Sequence, residues 1–326
     1  MNDPAFPFIN IIIPCYNSES TIDDCLKSVF DLDYPKDRYG VIVVDNGSRD
    51  MSTDIIEKRP CKLIVRPNIN VGAVRNRGAD VLFCDFFAFT DSDCIVPKCW
   101  LSDAVKYFED ENVGAVGGGC LAPSNGCWLE KVWVAGQLES FRFVKCLPAS
   151  NFIVRKSVFD MVSGFDENLV AGEDDHLSFK ISNIGMKLIS IRSCFVIHLG
   201  YPKTIFSIIK RQIWHSKNSF EIRENAFDKM FIMSNVFMLS LLSIFFLIPL
   251  LPRYFNEILT LSIFNILVIV FMVSFKKLSN CCYDNKTFTS ESYKFLQLGI
   301  IYFFFFVGRS IGLLLNYKNL LFKAKV

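Results

Sequence analysis

Two carboxylates separated by one residue follow a strongly apolar run, because FFAFT leads directly into Asp91-Ser92-Asp93. Side chains at positions i and i+2 of an extended segment point the same way, so these carboxylates could share one hard cation such as Mg²⁺ or Mn²⁺. Mg²⁺ usually takes one or two protein carboxylates and fills its shell with water and substrate phosphates. Two aspartates that only form a turn after a strand are the alternative, and the pair by itself leaves both interpretations open.

The elements that must position these carboxylates alternate between short apolar runs and amphipathic stretches. FINIIIPCYN, YGVIVVDNGS, CKLIVRP and FFAFTDSD are typical of strands, and STIDDCLKSVFDL, STDIIEK and VGAVRNRGADVL are typical of the helices between them. This alternation predicts a mostly parallel sheet covered by helices on both faces. Because ligands of such sheets bind beyond the carboxyl ends of the strands, the polar residues found there should converge on one rim. They are Tyr16 and Asn17, Asp45 and Asn46, and Asp91 and Asp93.

Residues 114 to 228 follow a less regular pattern. VGAVGGGCLAP is typical of a glycine-rich strand, SNFIVRKSVFDMVSGFDENL of a strand followed by a helix, and KLISIRSCFVIHLG of a further strand. AGEDDHLSFKISNIG is an acidic loop that enters a helix. KTIFSIIKRQIWHSKNSFEI is amphipathic, and we expect the stretch from about 203 to 228 to lie at a membrane surface.

With 326 residues of which 51% are apolar, the chain is more apolar than an ordinary soluble enzyme. The excess lies in residues 230–251, 256–275 and 295–317, and the last of these is interrupted only by Arg309. Each segment is near the roughly 20 residues that a helix needs to cross the hydrocarbon core of a bilayer. We therefore predict three membrane spans in the C-terminal part of the chain.

This arrangement predicts a cytosolic domain over residues 1–228 and a multi-pass domain in the cell membrane over residues 229–326. MNDPAFPFINIII has no basic leader and no small-residue cleavage site, so we expect no signal peptide and a cytoplasmic location for the first domain. With a cytosolic first domain, the lysines between the second and third spans lie on the cytosolic side, as the positive-inside rule prefers. The lysines of the C-terminal tail would then lie outside, which the rule does not favour. The third segment could therefore be interfacial or re-entrant instead.

Charge and cysteine content argue against several classes of protein. A net charge of +2 lacks the basic excess of a nucleic-acid-binding surface, so we expect no nucleic-acid partner. The 12 cysteines contain no CxxC pair, and none of the 3 histidines falls at ligand spacing beside a cysteine pair, which argues against a zinc site. We expect the cysteines to be small, buried, apolar side chains.

Five motifs occur in a fixed order: IIIPCYN, VIVVDNGSRD, NVGAVRNRGAD, TDSD and GFDENLVAGEDDHLSFK. Together they resemble those of family 2 glycosyltransferases over roughly residues 8 to 200. The resemblance implies an α/β fold of the GT-A type, a Rossmann-like nucleotide-diphospho-sugar transferase domain, followed here by C-terminal transmembrane helices. It also implies a nucleotide-diphosphate sugar as the donor.

The resemblance places the nucleotide beside several of these motifs. Asp45 matches the acid that accepts the imide N–H of a uracil-type base, and an Asx turn with the following Asn-Gly is its structural alternative. Arg75 and Asn76 match a pair that faces the nucleotide, although helical periodicity alone would put Arg75 on a solvated surface. The residues that match the base and ribose contacts are Pro14, Tyr16, Asn17 and Glu19.

The resemblance also assigns a divalent cation, Mg²⁺ or Mn²⁺, to the pair of aspartates. Asp93 would bind the ion that bridges the diphosphate, and Asp91 would contact the ribose, or the ion through water. Such an ion stabilises the negative charge that grows on the departing diphosphate. His198 matches a histidine that contacts metal or diphosphate in some relatives, and a packed histidine with one satisfied nitrogen is its ordinary interpretation.

An inverting sugar transfer needs a base opposite the departing diphosphate, where it takes the proton of the acceptor hydroxyl. By resemblance this base is Asp174, preceded by Glu173, and Asp175 is the better candidate for the N-cap of the helix. His176 is the competing base, because histidine titrates near neutral pH. Asn151 matches a position that lines the sugar and acceptor pocket.

RQIWHSKN stands where processive members of the family carry Gln-x-x-Arg-Trp, and it lacks the Arg-Trp pair. We therefore predict transfer of a single UDP- or GDP-linked sugar to a lipid-linked or membrane-proximal glycan acceptor in cell-surface glycan biosynthesis, with Trp214 as an interfacial anchor. Transfer to polyprenyl phosphate is the alternative within the class. A sugar-phosphate nucleotidyltransferase would need a glycine-rich phosphate loop that IIIPCYNSES lacks, and a non-catalytic membrane-binding protein is the last alternative.

Overall fold

The computed structural model describes residues 6–80, 83–134, 141–216, 229–247, 250–284 and 291–323. Contacts between residues divide the chain into two compact units. The first unit consists of residues 1–124 and 137–201, and the second of residues 125–136 and 202–326. The predicted domain boundary after residue 228 lies outside the described residues.

Strands occur in the first unit. In chain order they are β1 (Ile9–Cys15), β2 (Tyr39–Asp45), β3 (Lys62–Val65), β4 (Phe86–Thr90), β5 (Cys94–Ile95), β6 (Val113–Gly117), β7 (Cys120–Leu121), β8 (Phe141–Val144), β9 (Asn151–Arg155), β10 (Lys187–Ile191) and β11 (Val196–His198). Eight of them form one sheet in the order β3-β2-β1-β4-β9-β6-β10-β8, and β5, β11 and β7 form a second sheet.

The large sheet is parallel in its first half and mixed in its second. β3, β2, β1 and β4 are all parallel, as the alternation of strands and helices predicts. β9 enters antiparallel between β4 and β6, and β8 pairs antiparallel with β10. The expected mostly parallel sheet is therefore a mixed one, because the irregular stretch after β6 returns the chain in the opposite direction.

Helices occur in both units. In chain order they are α1 (Ile22–Phe30), α2 (Ser52–Glu57), α3 (Val71–Ala79), α4 (Trp100–Val105), α5 (Trp128–Val134), α6 (Lys156–Met161), α7 (Glu173–Asn183), α8 (Ile205–His215), α9 (Lys229–Leu242), α10 (Phe255–Asp284) and α11 (Glu291–Lys323). α5 and α8 to α11 belong to the second unit. The core of the first unit is aromatic, with Phe89 and Phe165 meeting edge to face at 5.0 Å between ring centres.

The register of the sheet carries the polar strand ends to one edge. Cys15 pairs with Asp45 where β1 and β2 end. Ser18, in the loop after β1, shares a hydrogen bond of 2.8 Å with the hydroxyl of Ser92, in the loop after β4. The loops that follow these three strands therefore lie side by side, which confirms the predicted rim.

Three helical segments of the second unit are long and apolar enough to cross a membrane, by length and composition. They are Lys229–Leu247, Phe255–Ser279 and Lys294–Tyr317. Large apolar side chains on them face outward; Leu239 is 60% exposed and Phe264 is 61% exposed. A helical surface of this kind is suited to contact with lipid. The three segments predicted from the sequence are thereby confirmed as candidate spans.

Within the second unit, α8 packs closely against α11. A Cβ atom on Gly308 would lie 2.6 Å from the carbonyl oxygen of Ile209, and one on Gly312 would lie 2.8 Å from that of Ile213. The two glycines, one helical turn apart, therefore let the two backbones touch. α8 begins the stretch predicted to lie at the membrane surface, and residues 217–228 of that stretch lie outside the described residues.

Candidate active site

The loops that follow β1 and β2 hold one another through hydrogen bonds. Asn17 has a left-handed backbone with a φ of 48°, and its amide donates to the Ser48 hydroxyl at 2.9 Å. The side-chain oxygen of Asn17 accepts from the Arg49 amide at 2.9 Å, and the Glu19 carboxylate accepts from the Met51 amide at 3.0 Å. Asn17 and Glu19 thus shape the loop where the sequence predicts a nucleotide base.

Asp45 ends β2 with only 1% of its surface exposed. One carboxylate oxygen accepts from the amides of Gly47 and Ser48, each at 2.9 Å, and the other accepts from the Ser48 hydroxyl. The Asx turn is therefore confirmed, and the Ser48 hydroxyl lies against the second carboxylate oxygen of Asp45. Nearby in the chain, Tyr16 is 58% exposed and Pro14 is partly buried.

Arg75 connects the acidic motif that follows β4 with the acidic motif that begins α7. Its guanidinium donates to Asp91 at 2.7 Å and to Glu173 at 2.7 Å, and the side chain is almost completely buried. Burial lowers the pKa of the guanidinium, but the charges of Asp91 and Glu173 outweigh this effect and hold the pKa above its ordinary value. The solvated position that helical periodicity indicates for Arg75 is wrong, because the two carboxylates compensate the cost of burying its charge.

Asn76, the next residue of α3, forms its side-chain hydrogen bonds with the segment before α7. Its amide nitrogen donates to the carbonyl oxygen of Phe165 at 2.9 Å, and its amide oxygen accepts from the Phe165 amide at 3.0 Å. The amide nitrogen also donates at 3.1 Å to the carboxylate of Glu167, which pairs with Arg77 at 3.0 Å. The side chain of Asn76 therefore holds the segment that precedes α7.

Asp93, Cys94 and His198 each bring one potential ligand atom within 4.8 Å of the others. The register of the small sheet explains this proximity, because Cys94 and His198 are directly opposite each other on β5 and β11. The Asp93 carboxylate lies 3.8 Å from Nδ1 of His198, which accepts a hydrogen bond from the Gly200 amide at 3.0 Å. Asp91 is not a member of this group.

These donors fit a divalent cation. Mg²⁺ and Mn²⁺ both bind carboxylate oxygen, and imidazole nitrogen suits several divalent transition metals. The His198 ring is stacked on Tyr201 with 4.6 Å between ring centres, which restrains its orientation. Burial raises the pKa of the Cys94 thiol well above its usual value, and the charges of Asp91 and Asp93 add to the rise. Asp93 and His198 are therefore the two residues best suited to hold an ion.

Asp174 lies in the first turn of α7 and is partly buried. One of its carboxylate oxygens accepts from the Ala149 amide at 3.2 Å, and the other accepts from the Asp175 amide at 3.0 Å. Burial raises the pKa of Asp174 to about 7, with help from the charges of Glu173 and Asp175 and opposition from Arg75. A carboxylate that titrates near neutral pH is suited to exchange a proton with a hydroxyl group.

The predicted helix cap at Asp175 is wrong. α7 begins after Gly172, whose φ is 82°, and no side chain in the described part of the chain caps this helix. The left-handed glycine starts the helix early, so Asp175 is its third residue and is exposed. Its carboxylate accepts a hydrogen bond of 2.6 Å from the Cys146 thiol, and its charge lies in the first turn, where the helix dipole favours it.

His176 and Asn151 contact other parts of the first unit. Nδ1 of His176 lies 3.8 Å from the carboxylate of Asp166. Asn151 is fully buried; its oxygen accepts from the indole N–H of Trp100 at 2.8 Å, and its nitrogen donates to the Cys194 carbonyl at 2.7 Å. Both polar atoms of Asn151 therefore form hydrogen bonds inside the first unit, and its predicted place beside a sugar stays a prediction.

Two neighbours of the site, Ser18 and Cys94, were not predicted as site residues. The signal for Ser18 is its place between Asn17 and Glu19, at the carboxyl end of a strand. Cys94 becomes visible only once β5 is paired with β11, and these strands have two and three residues. Strands of this length give too little alternation to be predicted from the sequence.

The chain is similar to known glycosyltransferases in sequence and in fold. Residues 10–157 match the family model of Glycosyl transferase family 2. Over 229 residues the chain is 28% identical to Glycosyltransferase AglE of Haloferax volcanii, which covers 67% of this chain and 75% of that protein. Over 261 residues it is 24% identical to the dolichyl N-acetyl-alpha-D-glucosaminyl phosphate 3-beta-D-2,3-diacetamido-2,3-dideoxy-beta-D-glucuronosyltransferase of Methanococcus voltae, covering 73% of this chain and 81% of that protein. Several other relatives match over half of their own length or less.

The fold is similar to that of a mannosyltransferase from Pyrobaculum calidifontis, PcManGT, solved in complex with GDP-Man and Mn²⁺. The TM-score is 0.54 at 20% identity, and the similarity covers 67% of this chain and 66% of that chain. The first unit is therefore a GT-A fold, and the protein is a glycosyltransferase. Residues 10–157 are its family 2 domain.

Proposed function

We propose that this glycosyltransferase moves one sugar, with inversion, from a UDP- or GDP-linked donor to a lipid-linked or membrane-proximal glycan acceptor in cell-surface glycan biosynthesis. The observation that carries the proposal is the double ion pair of Arg75, with Asp91 and with Glu173, each at 2.7 Å. It ties Asp91 to Glu173, at the end of α7 that bears Asp174. Groups for both halves of a transfer reaction thereby belong to one connected assembly.

On the donor side, we assign the nucleotide to the loops after β1 and β2. Tyr16 is exposed, so its ring is available to stack on a base. The side chains of Asn17 and Glu19 hold these loops together through hydrogen bonds, and Pro14 lies in the strand that precedes them. Asp45 would accept the imide N–H of a uracil-type base once the Ser48 hydroxyl, which now occupies it, has turned away.

Also on the donor side, Asp93 and His198 would hold a divalent cation, Mg²⁺ or Mn²⁺, and Asp91 would contact the donor ribose. When bound, the ion would supply positive charge against the negative charge that develops on the departing diphosphate. Arg75 adds a fixed positive charge next to Asp91 and prevents that carboxylate from repelling the donor phosphates. The Mn²⁺ in the mannosyltransferase structure makes Mn²⁺ the first ion to test.

On the acceptor side, we assign the general base to Asp174. The acceptor oxygen forms a bond to the anomeric carbon while the bond from that carbon to the diphosphate oxygen breaks, and the hydroxyl proton passes to Asp174. Attack on the face opposite the leaving group inverts the anomeric configuration. Because the pKa of Asp174 is about 7, its ionised form can take this proton at neutral pH and release it to water afterwards.

A membrane-held acceptor is favoured by the three candidate spans. The name of the Methanococcus voltae relative refers to a dolichyl-linked sugar phosphate, and we infer an acceptor of this lipid-linked class. We also infer a multi-pass location in the cell membrane with the catalytic domain facing the cytoplasm. Transfer of a single sugar is supported by RQIWHSKN, which lacks the Arg-Trp pair of the processive enzymes.

The test is sugar transfer by the purified full-length protein in detergent, with a panel of UDP- and GDP-linked sugars and with Mn²⁺, Mg²⁺ or a chelator. Asp174→Asn should lower the rate by about a hundredfold or more, because it removes the base. Asp175→Asn, which alters the adjacent exposed carboxylate, is the matched control and should keep most of the activity. Equal rates for Asp174→Asn and the unmodified protein would overturn the assignment, and the anomeric configuration of the product by NMR tests inversion.

A further inference from the structure

The segment 146–149, which lies between β8 and β9 in the chain, is bonded to the first turns of α7. The Ala149 amide donates to the carboxylate of Asp174 at 3.2 Å, and the Leu147 amide donates to the hydroxyl of Ser178 at 3.2 Å. Ala149, Leu147 and Ser178 are all buried. These bonds hold the beginning of a helix that no side chain caps among the described residues.

Cys146 adds a third bond between this segment and α7. Its thiol donates to one carboxylate oxygen of Asp175 at 2.6 Å, and its other acceptor, the carbonyl oxygen of Leu147, is farther away at 3.5 Å. Burial raises the pKa of the Cys146 thiol, and the charges of Asp175 and Asp174 raise it further. The thiol therefore keeps its proton at neutral pH and remains a hydrogen-bond donor.

Asp175 acts on the proposed base through its backbone and through its charge. The Asp175 amide donates to one carboxylate oxygen of Asp174 at 3.0 Å. Burial is the largest cause of the raised pKa of Asp174, about 7; the charges of Glu173 and Asp175 add to the rise, and Arg75 opposes it. The position and the charge of Asp175 therefore both bear on Asp174.

The thiol of Cys146 restrains a side chain that would otherwise be free to turn. Asp175 is exposed, so without a partner its carboxylate would sample several rotamers. A hydrogen bond to this carboxylate selects one rotamer and offsets part of the negative charge. Both effects reach Asp174 through Asp175, which is the nearer acceptor of the thiol.

We propose that Cys146 is a positioning residue for the proposed base, and that its thiol fixes Asp175 and partly offsets the charge that Asp175 directs at Asp174. This role rests on the proposed function, because Cys146 would act through the assigned base. A thiol with a purely structural role would instead change the transfer rate by the same factor at every pH, since it would leave the charge around Asp174 unaltered.

The test is the pH–rate profile of sugar transfer by the full-length protein in detergent. Cys146→Ala should raise the midpoint by about half a pH unit and lower the acidic rate about threefold, because the charge of Asp175 then acts fully on Asp174. The plateau at alkaline pH should change by less than about twofold. Cys146→Ser keeps a donor and should restore the midpoint. Cys61→Ala is the matched control, because Cys61 is also partly exposed and its thiol donates to the carbonyl oxygen of Ile56 at 3.6 Å.

Asp175→Asn tests whether Cys146 acts through Asp175. An asparagine at this position has no charge to offset, so adding Cys146→Ala to Asp175→Asn should shift the midpoint much less than Cys146→Ala does alone. A midpoint that stays in place or falls in Cys146→Ala would overturn the proposal. An equal shift in the double variant, or a shift that Cys146→Ser does not reverse, would overturn it as well.

The dependence of the melting temperature on pH gives a second readout that requires no activity. Stability should fall as the pH rises towards the pKa of Asp174 and then level off, and Cys146→Ala should move the levelling point up by the same half unit, about a threefold change in proton affinity. If Asp174→Asn keeps the transfer rate, the proposed base is wrong. The melting profile would still show whether Cys146 acts on the charge of Asp174.

Discussion

Two arginines lie in apolar surroundings, one in each unit, and they are held in different ways. Arg75 is 3% exposed and donates to the carboxylates of Asp91 and Glu173. Arg309 is partly exposed, and its contacts include the neutral amide oxygen of Gln212. The two carboxylates compensate the buried charge of Arg75 within the first unit, whereas part of the Arg309 side chain is exposed. The difference shows that an arginine in apolar surroundings can be enclosed by carboxylates or left partly exposed.

Arg75→Gln should have the largest effect on this comparison. The substitution leaves the buried carboxylate of Glu173 without its positive partner, which should cost about 3–5 kcal/mol of unfolding free energy and abolish transfer. Denaturant unfolding of the full chain in detergent measures the cost. Arg77→Gln is the control, because the Arg77 side chain is 39% exposed and its ion pairs should contribute about 1 kcal/mol or less. Equal losses for the two variants would contradict the role given to Arg75.

Gly312→Ala should have the next largest effect, in the second unit, because it forces α8 away from α11. The added methyl group would press on Ser216 and on the carbonyl oxygen of Ile213, at a cost of about 1–3 kcal/mol. Thermal melting in nanodiscs measures the change. Gly299→Ala is the matched control, since the nearest atom to its new Cβ would be 3.9 Å away, on Val270. If Gly299→Ala were equally destabilising, the close contact would not be the cause.

The raised pKa of Asp174, about 7, predicts a dependence of both rate and stability on pH. As the pH increases towards 7, the rate of sugar transfer should rise about tenfold per pH unit, because only the ionised carboxylate accepts a proton. Above pH 7 the rate should level off. Stability should change in the opposite sense. The pKa is raised on folding, so the protonated form stabilises the fold, and stability falls as the pH rises from about 4 to about 7. Asp174→Asn should flatten the stability profile, and a rate that fell over this range would exclude Asp174 as the base.

Arg309→Gln should have the smallest effect on folding, about 1 kcal/mol or less. The Arg309 side chain is partly exposed, and the shorter Gln side chain can replace part of its hydrogen bond to Gln212. Melting in the same nanodiscs as for Gly312→Ala measures the change. A loss of unfolding free energy as large as that of Arg75→Gln would show that the two arginines contribute equally to stability.

The features that could be predicted from the sequence are local ones. Asp91 and Asp93 interrupt an apolar run, and each candidate span is a continuous apolar segment. Patterns of this kind fix where a strand or a span ends, and the parallel arrangement then brings the strand ends together. The α/β fold, the rim and the three candidate spans follow from these patterns.

The features that could not be predicted depend on partners far along the chain. Arg75 lies 98 residues from Glu173, so its periodicity on α3 carries no sign of the ion pair that buries it. Asn151 is polar and follows a proline-containing loop, yet its partners Trp100 and Cys194 come from distant elements. Arg309 lies 97 residues from Gln212, and the amphipathic pattern of α8 does not indicate which helix it meets.

The double contact of Arg75 has a thermodynamic consequence. It places the carboxylates that lead to Asp93 and to Asp174 around a single guanidinium, so charge added at one end is felt at the other. Positive charge gained near Asp93 lowers the proton affinity of Asp174, and reciprocity requires that loss of this proton strengthen cation binding by the same factor. If Asp93 holds the cation and Asp174 is the base, as proposed, cation binding would favour the ionised base, and mild acidity would weaken cation binding.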